Sequence, residues 1–131
     1  MGPFRGRLIL AVALVVLAHP ALAEVCDKIR PGWDASLGAV TWWSEAVRVL
    51  SSFPGLVVLA SLAFGLLRPH LWISTACAVP ALAFAGLLLL YHRAETAVLA
   101  RAEGCMASVW PVAILLMALA GLTIVRAWQR D

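Results

Sequence analysis

The uncharged stretch from Leu71 to Tyr91 constrains the fold more than any other part of the sequence. It reads LWISTACAVPALAFAGLLLLY, and His70, His92 and Arg93 lie just beyond its ends. At 1.5 Å per residue, an α-helix of this length reaches about 30 Å, which is the thickness of the hydrocarbon core of a bilayer. The stretch therefore predicts a transmembrane helix, and the rest of the chain is interpreted around it.

The composition agrees with an integral membrane protein. The 131 residues are 63% hydrophobic and only 13% charged, whereas soluble domains average about 25% charged residues. The mean hydropathy of +0.95 points the same way. The formal net charge of +3 is small and scattered, so we expect no nucleic-acid partner and no basic anchor for anionic lipid. A chain of this length has room for one domain.

The first 23 residues have the layout of a secretory signal peptide. Arg5 and Arg7 precede an apolar run over residues 8–18, and a site with small residues ends at Ala23. This order predicts cleavage after Ala23. The alternative is an uncleaved first helix, which we disfavour because about 11 apolar residues are too few to span a bilayer. Both interpretations place Glu24 on the outer side of the membrane.

The mature chain, residues 24–131, is predicted to form a single all-α membrane domain with three transmembrane helices. The spans cover about 47–67, 71–91 and 108–125. Pro54 falls inside the first span and is expected to kink it. Residues 93–103 carry charges of both signs and are predicted to continue as a short extramembrane helix between the second and third spans, which Gly104 ends.

The signal peptide also sets the predicted orientation. It places the mature amino terminus and the 92–107 loop outside and the carboxyl terminus inside. The count of basic residues disagrees, because more of them lie outside than inside; the signal takes precedence, since targeting fixes the first translocation before these charges emerge. Arginine far outnumbers lysine, and Ala and Leu abound. This indicates a bacterial source of high genomic GC, an inner-membrane location and a periplasmic outer side.

Two of the three cysteines lie in segments that share the outer side. An oxidising compartment favours a disulfide between Cys26 and Cys105, which would attach the amino-terminal segment to the loop between the last two spans. The alternatives are two free thiols, or one thiol that holds a lipid or a partner. Cys77 lies within the central span and is interpreted as a small buried hydrophobe. No Cys-x-x-Cys pair is present, so the disulfide is interpreted as structural.

Few other residues carry candidate chemistry. Glu45 and Arg48 are three apart on a predicted helix, and we expect an ordinary ion pair at the outer interface. The alternative is a proton or cation carrier, which would require Glu45 to lie deep in the membrane. His70 and His92 sit about 33 Å apart at opposite ends of one helix, so they cannot share a haem iron. We therefore expect no cofactor and no metal site.

The predicted spans carry small residues at positions where another helix can approach closely. Such residues form smooth faces in membrane helices and favour association between helices. They are Ser61 and Gly65 in the first span, Ala78, Ala81 and Ala85 in the second, and Ala120 and Gly121 in the third.

Two functions follow as expectations from these features. The first is a non-catalytic accessory, assembly or stabilising subunit of a larger inner-membrane complex, with the lipid bilayer and other membrane-protein subunits as partners. The alternative is a protomer of a small oligomeric transporter or channel, which needs a polar pathway that the predicted spans supply only sparsely. An enzyme is not expected, because the sequence contains no phosphate loop, nucleophile triad or metal cluster.

Overall fold

A computed structural model describes residues 25–130. These residues are mostly helical and form no β-strand. Residues 25–29 are helical, and a 3₁₀ turn follows at Ala35–Leu37. The main helices are α1 (Trp42–Ser51), α2 (Phe53–Leu67), α3 (Leu71–Arg93), α4 (Glu95–Glu103) and α5 (Trp110–Trp128). The predicted signal peptide, 1–23, lies outside the described residues.

The helices α3 and α5 are long and apolar enough to cross a membrane. They contain 23 and 19 residues, with mean hydropathies of 2.1 and 1.9. Pro111 lies in the first turn of α5, where a missing backbone N–H costs no helical hydrogen bond. Helix α3 covers the predicted span 71–91 and ends two residues later, whereas α5 begins two residues after the start of the predicted span 108–125 and ends three residues after its end.

The first predicted span is broken, which corrects the expectation of one kinked helix over 47–67. Ser52 has an extended backbone, and α1 and α2 meet there at an angle of 78°. Pro54 therefore lies in the first turn of α2 instead of inside a continuous helix. The Ser52 side chain accepts a hydrogen bond from the Gly55 N–H, as an N-cap does. The α1–α2 pair offers at most one bent crossing, since α2 alone has 15 residues and a length of about 22 Å.

Gly55 makes this bend sterically possible. A Cβ atom at that position would lie 2.3 Å from the Val49 carbonyl oxygen and 2.7 Å from the Leu50 carbonyl oxygen. Both distances are shorter than any van der Waals contact. Only glycine therefore fits where the first turn of α2 packs against the end of α1.

The core between α2, α3 and α5 is built from small side chains. The Cβ that Gly65 lacks would lie 3.0 Å from the Cys77 Cβ, and the Ser74 hydroxyl donates to the Gly65 carbonyl oxygen at 3.2 Å. These contacts bring α2 and α3 close together at this level. Buried residues of α3 and α5 continue the same core. They are Ala78, Ala81, Ala85, Val112, Ala113, Leu116 and Ala120.

The other predicted packing residues are placed differently. The Ser61 side chain is partly buried, and its hydroxyl donates to the Val58 carbonyl oxygen within α2. Gly121 faces outward, with open space where its Cβ would be, as does Gly86 on α3. These two glycines therefore lie on surfaces that the described part of the chain leaves uncovered.

Helix α4, which the sequence predicts to be extramembrane, is separated from α3, and this corrects the expectation of a continuous helix past Arg93. Ala94 has an extended backbone between the two helices. At the other end Gly104 adopts a left-handed conformation with φ +87° and ends α4, as its sequence position predicted. The chain then runs through 105–109 into α5.

Candidate functional site

One end of the helices is covered by a compact layer, here called the cap, which comprises residues 25–41 and 94–109. Its two parts are joined by a backbone hydrogen bond from the Val40 N–H to the Gly104 carbonyl oxygen at 2.8 Å. The cap has its own apolar core, separate from the core between the long helices. Its buried members are Cys26, Ala97, Ala100, Cys105, Met106 and Val109.

The cap is held by the predicted cysteine pair. The Sγ atoms of Cys26 and Cys105 lie 2.04 Å apart, at the distance of a disulfide bond. Their exposed fractions are 4% and 1%, so the bond is shielded from solvent. Cys77 lies on α3, half-buried and away from this pair. The disulfide joins segments 79 positions apart in sequence and fixes 25–30 against α4.

A carboxylate lies directly against this disulfide. The Glu103 Oε2 atom is 2.9 Å from the Cys26 Sγ, which carries no proton when bonded to Cys105. The Oε1 atom of Glu103 is buried and has no hydrogen-bond partner. The two sulfurs and the carboxylate lie within 4.8 Å of one another, but cysteine binds metals as thiolate, and both sulfurs are occupied by their mutual bond.

The predicted ion pair between Glu45 and Arg48 is present, and a second arginine joins it. Glu45 is 0% exposed. Its Oε1 accepts from the Arg48 Nε at 3.1 Å and from Arg48 Nη2, and its Oε2 accepts from the Arg30 Nη1 at 3.4 Å. Glu45 is therefore a buried carboxylate between two guanidinium groups. Arg30 was missed because it reaches Glu45 only when the cap folds back over α1.

A second polar contact joins α3 to the cap. The Arg101 Nη1 lies 2.6 Å from the His92 Nδ1 and 2.8 Å from the His92 carbonyl oxygen. Because arginine only donates, this Nδ1 must be the unprotonated nitrogen of the ring. The edge of the Trp110 ring packs against the same imidazole, with centroids 6.4 Å apart. His92 thus fastens α4 to the end of α3.

Two clefts in the cap share Trp33 as a lining residue. The first, here called the basic cleft, has a volume of about 330 Å³ and is lined by Arg30, Thr41 and Ser44. The second, here called the acidic cleft, has a volume of about 430 Å³ and is lined by Cys26, Asp27, Asp34 and Glu103. Gly32 and Trp33 belong to both walls.

Asp34 is an exposed residue that lines the acidic cleft. Its carboxylate accepts a hydrogen bond from the Ser36 backbone N–H at 2.8 Å. This bond favours the charged form and lowers the pKa of Asp34 below its ordinary value. The same hydrogen bond makes Asp34 the N-cap of the 3₁₀ turn at Ala35–Leu37.

Comparison with known protein families, with characterised proteins and with solved structures returns no match to this chain. In residues 25–130 the structure defines a helical protein with a disulfide-joined cap at one end. Two helices of this range are long enough to cross a membrane, and the bent α1–α2 pair could provide a third crossing.

Proposed function

We propose that this protein is a non-catalytic accessory, assembly or stabilising subunit of a larger complex in the bacterial inner membrane. In this proposal the signal peptide is removed after Ala23. The chain crosses the bilayer three times, with the α1–α2 pair as the bent first crossing. The cap lies in the periplasm and the carboxyl terminus in the cytoplasm.

The observation that carries this proposal is the uncovered small-residue surface of α5. Gly121 has open space at its Cβ position, and Ala118 and Met117 beside it are exposed. The opposite face of α5, with Leu116 and Ala120, is already buried against the neighbouring helices. In lipid, association of helices depends on close packing at small residues, so the Gly121 face suits a helix from another subunit.

The alternative of a transporter or channel protomer receives less support. The buried polar side chains of the long helices in the described part of the chain are Ser74 and Thr123. Each donates its hydroxyl to a helix carbonyl oxygen, at 3.2 Å and 2.7 Å. Neither side chain is ionisable, whereas ionisable side chains mark the ion and proton pathways of membrane proteins.

The proposal is tested by extracting the tagged protein from its host membrane in mild detergent and separating complexes on a blue-native gel. We expect it to co-migrate with a large complex of different subunits, identified by mass spectrometry of the band. A discrete homo-oligomer would instead support the transporter alternative, and a monomer throughout would contradict both functions.

A pair of variants tests whether the α5 surface is the contact. Gly121→Leu adds a bulky side chain where the surface is smooth, and we expect it to reduce co-migration. Leu115→Met replaces an exposed residue of the same helix, about 120° around the helix axis from Gly121, by one of similar volume, and it serves as the matched control. Equal co-migration of both variants would show that the contact lies elsewhere.

A further inference from the structure

Helix α1 has one face buried in the protein and two flanks of different chemistry. The buried face is formed by Glu45, Ala46 and Val49. With 3.6 residues per turn, the side chains between the helix ends divide into an apolar group on one side of this face and a polar group on the other. The apolar flank consists of Trp43, Val47 and Leu50. The polar flank consists of Ser44, Arg48 and Ser51.

The two flanks suit two different solvents. Trp43 and Val47 on the apolar flank are 64% and 51% exposed, and tryptophan is enriched where lipid head groups meet acyl chains. Arg48 on the polar flank bonds Glu45 and still leaves 42% of its side chain exposed to water. A helix with an apolar flank toward lipid and a polar flank toward water lies parallel to the membrane surface.

The bend between α1 and α2 gives α1 this orientation. The two helices meet at 78°, so α1 lies nearly parallel to the membrane surface when α2 crosses the bilayer close to its normal. The exposed side chains that follow the bend are apolar. Phe53 is 82% exposed, and Leu56 and Val57 in the next turn of α2 are 54% and 50% exposed. The apolar flank of α1 is therefore followed in the chain by a surface suited to acyl chains.

The length of α2 gives the depth at which α1 would lie. The 15 residues of α2 reach about 22 Å, which is about 8 Å less than the hydrocarbon core of a bilayer. Helices that lie in the interface bury their apolar face by about 5–10 Å. A crossing by α2 alone thus ends at the depth that an interfacial α1 would occupy.

We propose that α1 lies parallel to the membrane surface and that its apolar flank contacts the lipids of the outer leaflet. In this arrangement α2 is the transmembrane part of the bent first crossing, and α1 is its interfacial part. The hydrogen bond from Arg30 to Glu45, at 3.4 Å, connects α1 to the cap and holds the cap at the outer surface. The inference rests on the three crossings proposed above and does not depend on the partner subunits.

Depth measurements on single spin labels test this proposal in the full chain, reconstituted into vesicles of phosphatidylethanolamine and phosphatidylglycerol. In a Cys77→Ala background, Trp43→Cys, Ser44→Cys and Ser51→Cys each provide one thiol for a nitroxide. The depth of each label follows from its collision rates with oxygen, which concentrates in lipid, and with a water-soluble nickel complex. Leu82→Cys, at an exposed position in the middle of α3, is the reference for the hydrocarbon core.

The order of depths distinguishes an interfacial helix from a crossing one. If α1 is interfacial, the label at position 43 lies deeper than the label at 44 by about 5 Å, half the diameter of a helix, and deeper than the label at 51. If α1 continues the crossing, the labels at 43 and 44 differ by only about 1.5 Å, and the label at 51 lies about 12 Å deeper than both.

A matched pair of charged variants tests the apolar flank directly. Val47→Asp places a carboxylate on this flank, and it should reduce the difference in depth between the labels at 43 and 44 by about half, because a charge is costly in lipid. Ser51→Asp places the same carboxylate on the polar flank and should leave that difference unchanged. An equal effect of the two variants would overturn the proposal.

The reference label separates the failure of this inference from the failure of the proposed crossings. A label at position 82 that lies outside the hydrocarbon core would contradict the crossings themselves. A deep label at 82 together with the depth order of a crossing α1 would overturn the interfacial helix alone. Shielding of the label at 43 from both oxygen and nickel would show that protein covers the flank, and it would also overturn the proposal.

Discussion

At the scale of single residues, Glu45 is the charged residue that is buried in the described part of the chain. Its side chain is 1% exposed and bonds Arg30 and Arg48, whose side chains are 26% and 42% exposed. Glu45→Ala leaves two guanidinium groups unpaired beside a new cavity. Because both arginines reach solvent, we expect a loss of about 2 kcal/mol in the free energy of unfolding, less than for a fully buried pair. Denaturant unfolding in micelles measures this change in the free energy of unfolding. Glu95→Ala, at an exposed position, is the control.

Gly55 and Gly86 provide a matched pair of glycine substitutions within apolar helices. Gly55→Ala places a Cβ 2.3 Å from the Val49 carbonyl oxygen, so the α1–α2 bend must open, at a cost of about 1–3 kcal/mol. Gly86→Ala meets no atom within 4 Å and should stabilise α3 by about 0.5–1 kcal/mol through helix propensity. The free energies of unfolding of the two variants are compared by denaturation followed by far-UV circular dichroism. An equal response of the two variants would contradict the steric origin of the bend.

At the scale of helices, the sequence predicted the long elements and did not predict the breaks at Ser52 and Ala94. The helices α3 and α5 follow from uncharged stretches of sufficient length, which need no knowledge of the fold. The sequence does not distinguish a kink from a break at Ser52, because Pro54 is compatible with both. The choice depends on contacts distant in sequence, such as Arg30 with Glu45. Ala94 is neither glycine nor proline, so nothing local signals the break that lets α4 fold back.

The attachment of the cap gives a prediction at the same scale. Under non-reducing conditions we expect alkylation of the unfolded protein to modify Cys77 alone, and alkylation after reduction to modify Cys26 and Cys105 as well. Mass spectrometry of a digest assigns each site. Alkylation of all three thiols in the oxidised protein would show that the cap is not joined by sulfur.

Loss of this bond should destabilise the cap more than the helices beneath it. Closure of a loop of 79 positions contributes up to about 4.5 kcal/mol by loss of chain entropy in the unfolded state. The value falls if the spans already restrain the two ends. We expect the double variant Cys26→Ser and Cys105→Ser to lose hydrogen-exchange protection in α4 and to keep it in α5. Cys77→Ser is the control.

At the scale of the whole molecule, the candidate site shows where sequence reasoning ends. The pairing of Cys26 with Cys105 follows from the predicted orientation, which puts both on one side of the membrane; this is a global argument and needs no coordinates. The roles of Arg30, Trp33 and Glu103 depend on how the amino-terminal segment lies across α1 and α4. No local pattern of charge or hydropathy carries that information, so the two clefts emerged only from the three-dimensional arrangement.

The arrangement across the membrane is the prediction that unites these scales. In a Cys77→Ala background, Glu95→Cys places a thiol on the exposed face of the cap, and Gln129→Cys places one at the opposite end of α5, where residue 129 is also exposed. A membrane-impermeant maleimide added to intact spheroplasts should label position 95 and should reach position 129 only after lysis. Intact mass should also give a chain that begins at Glu24. Labelling of position 129 alone in intact cells would place the cap in the cytosol, where thiols are kept reduced and the disulfide would not persist.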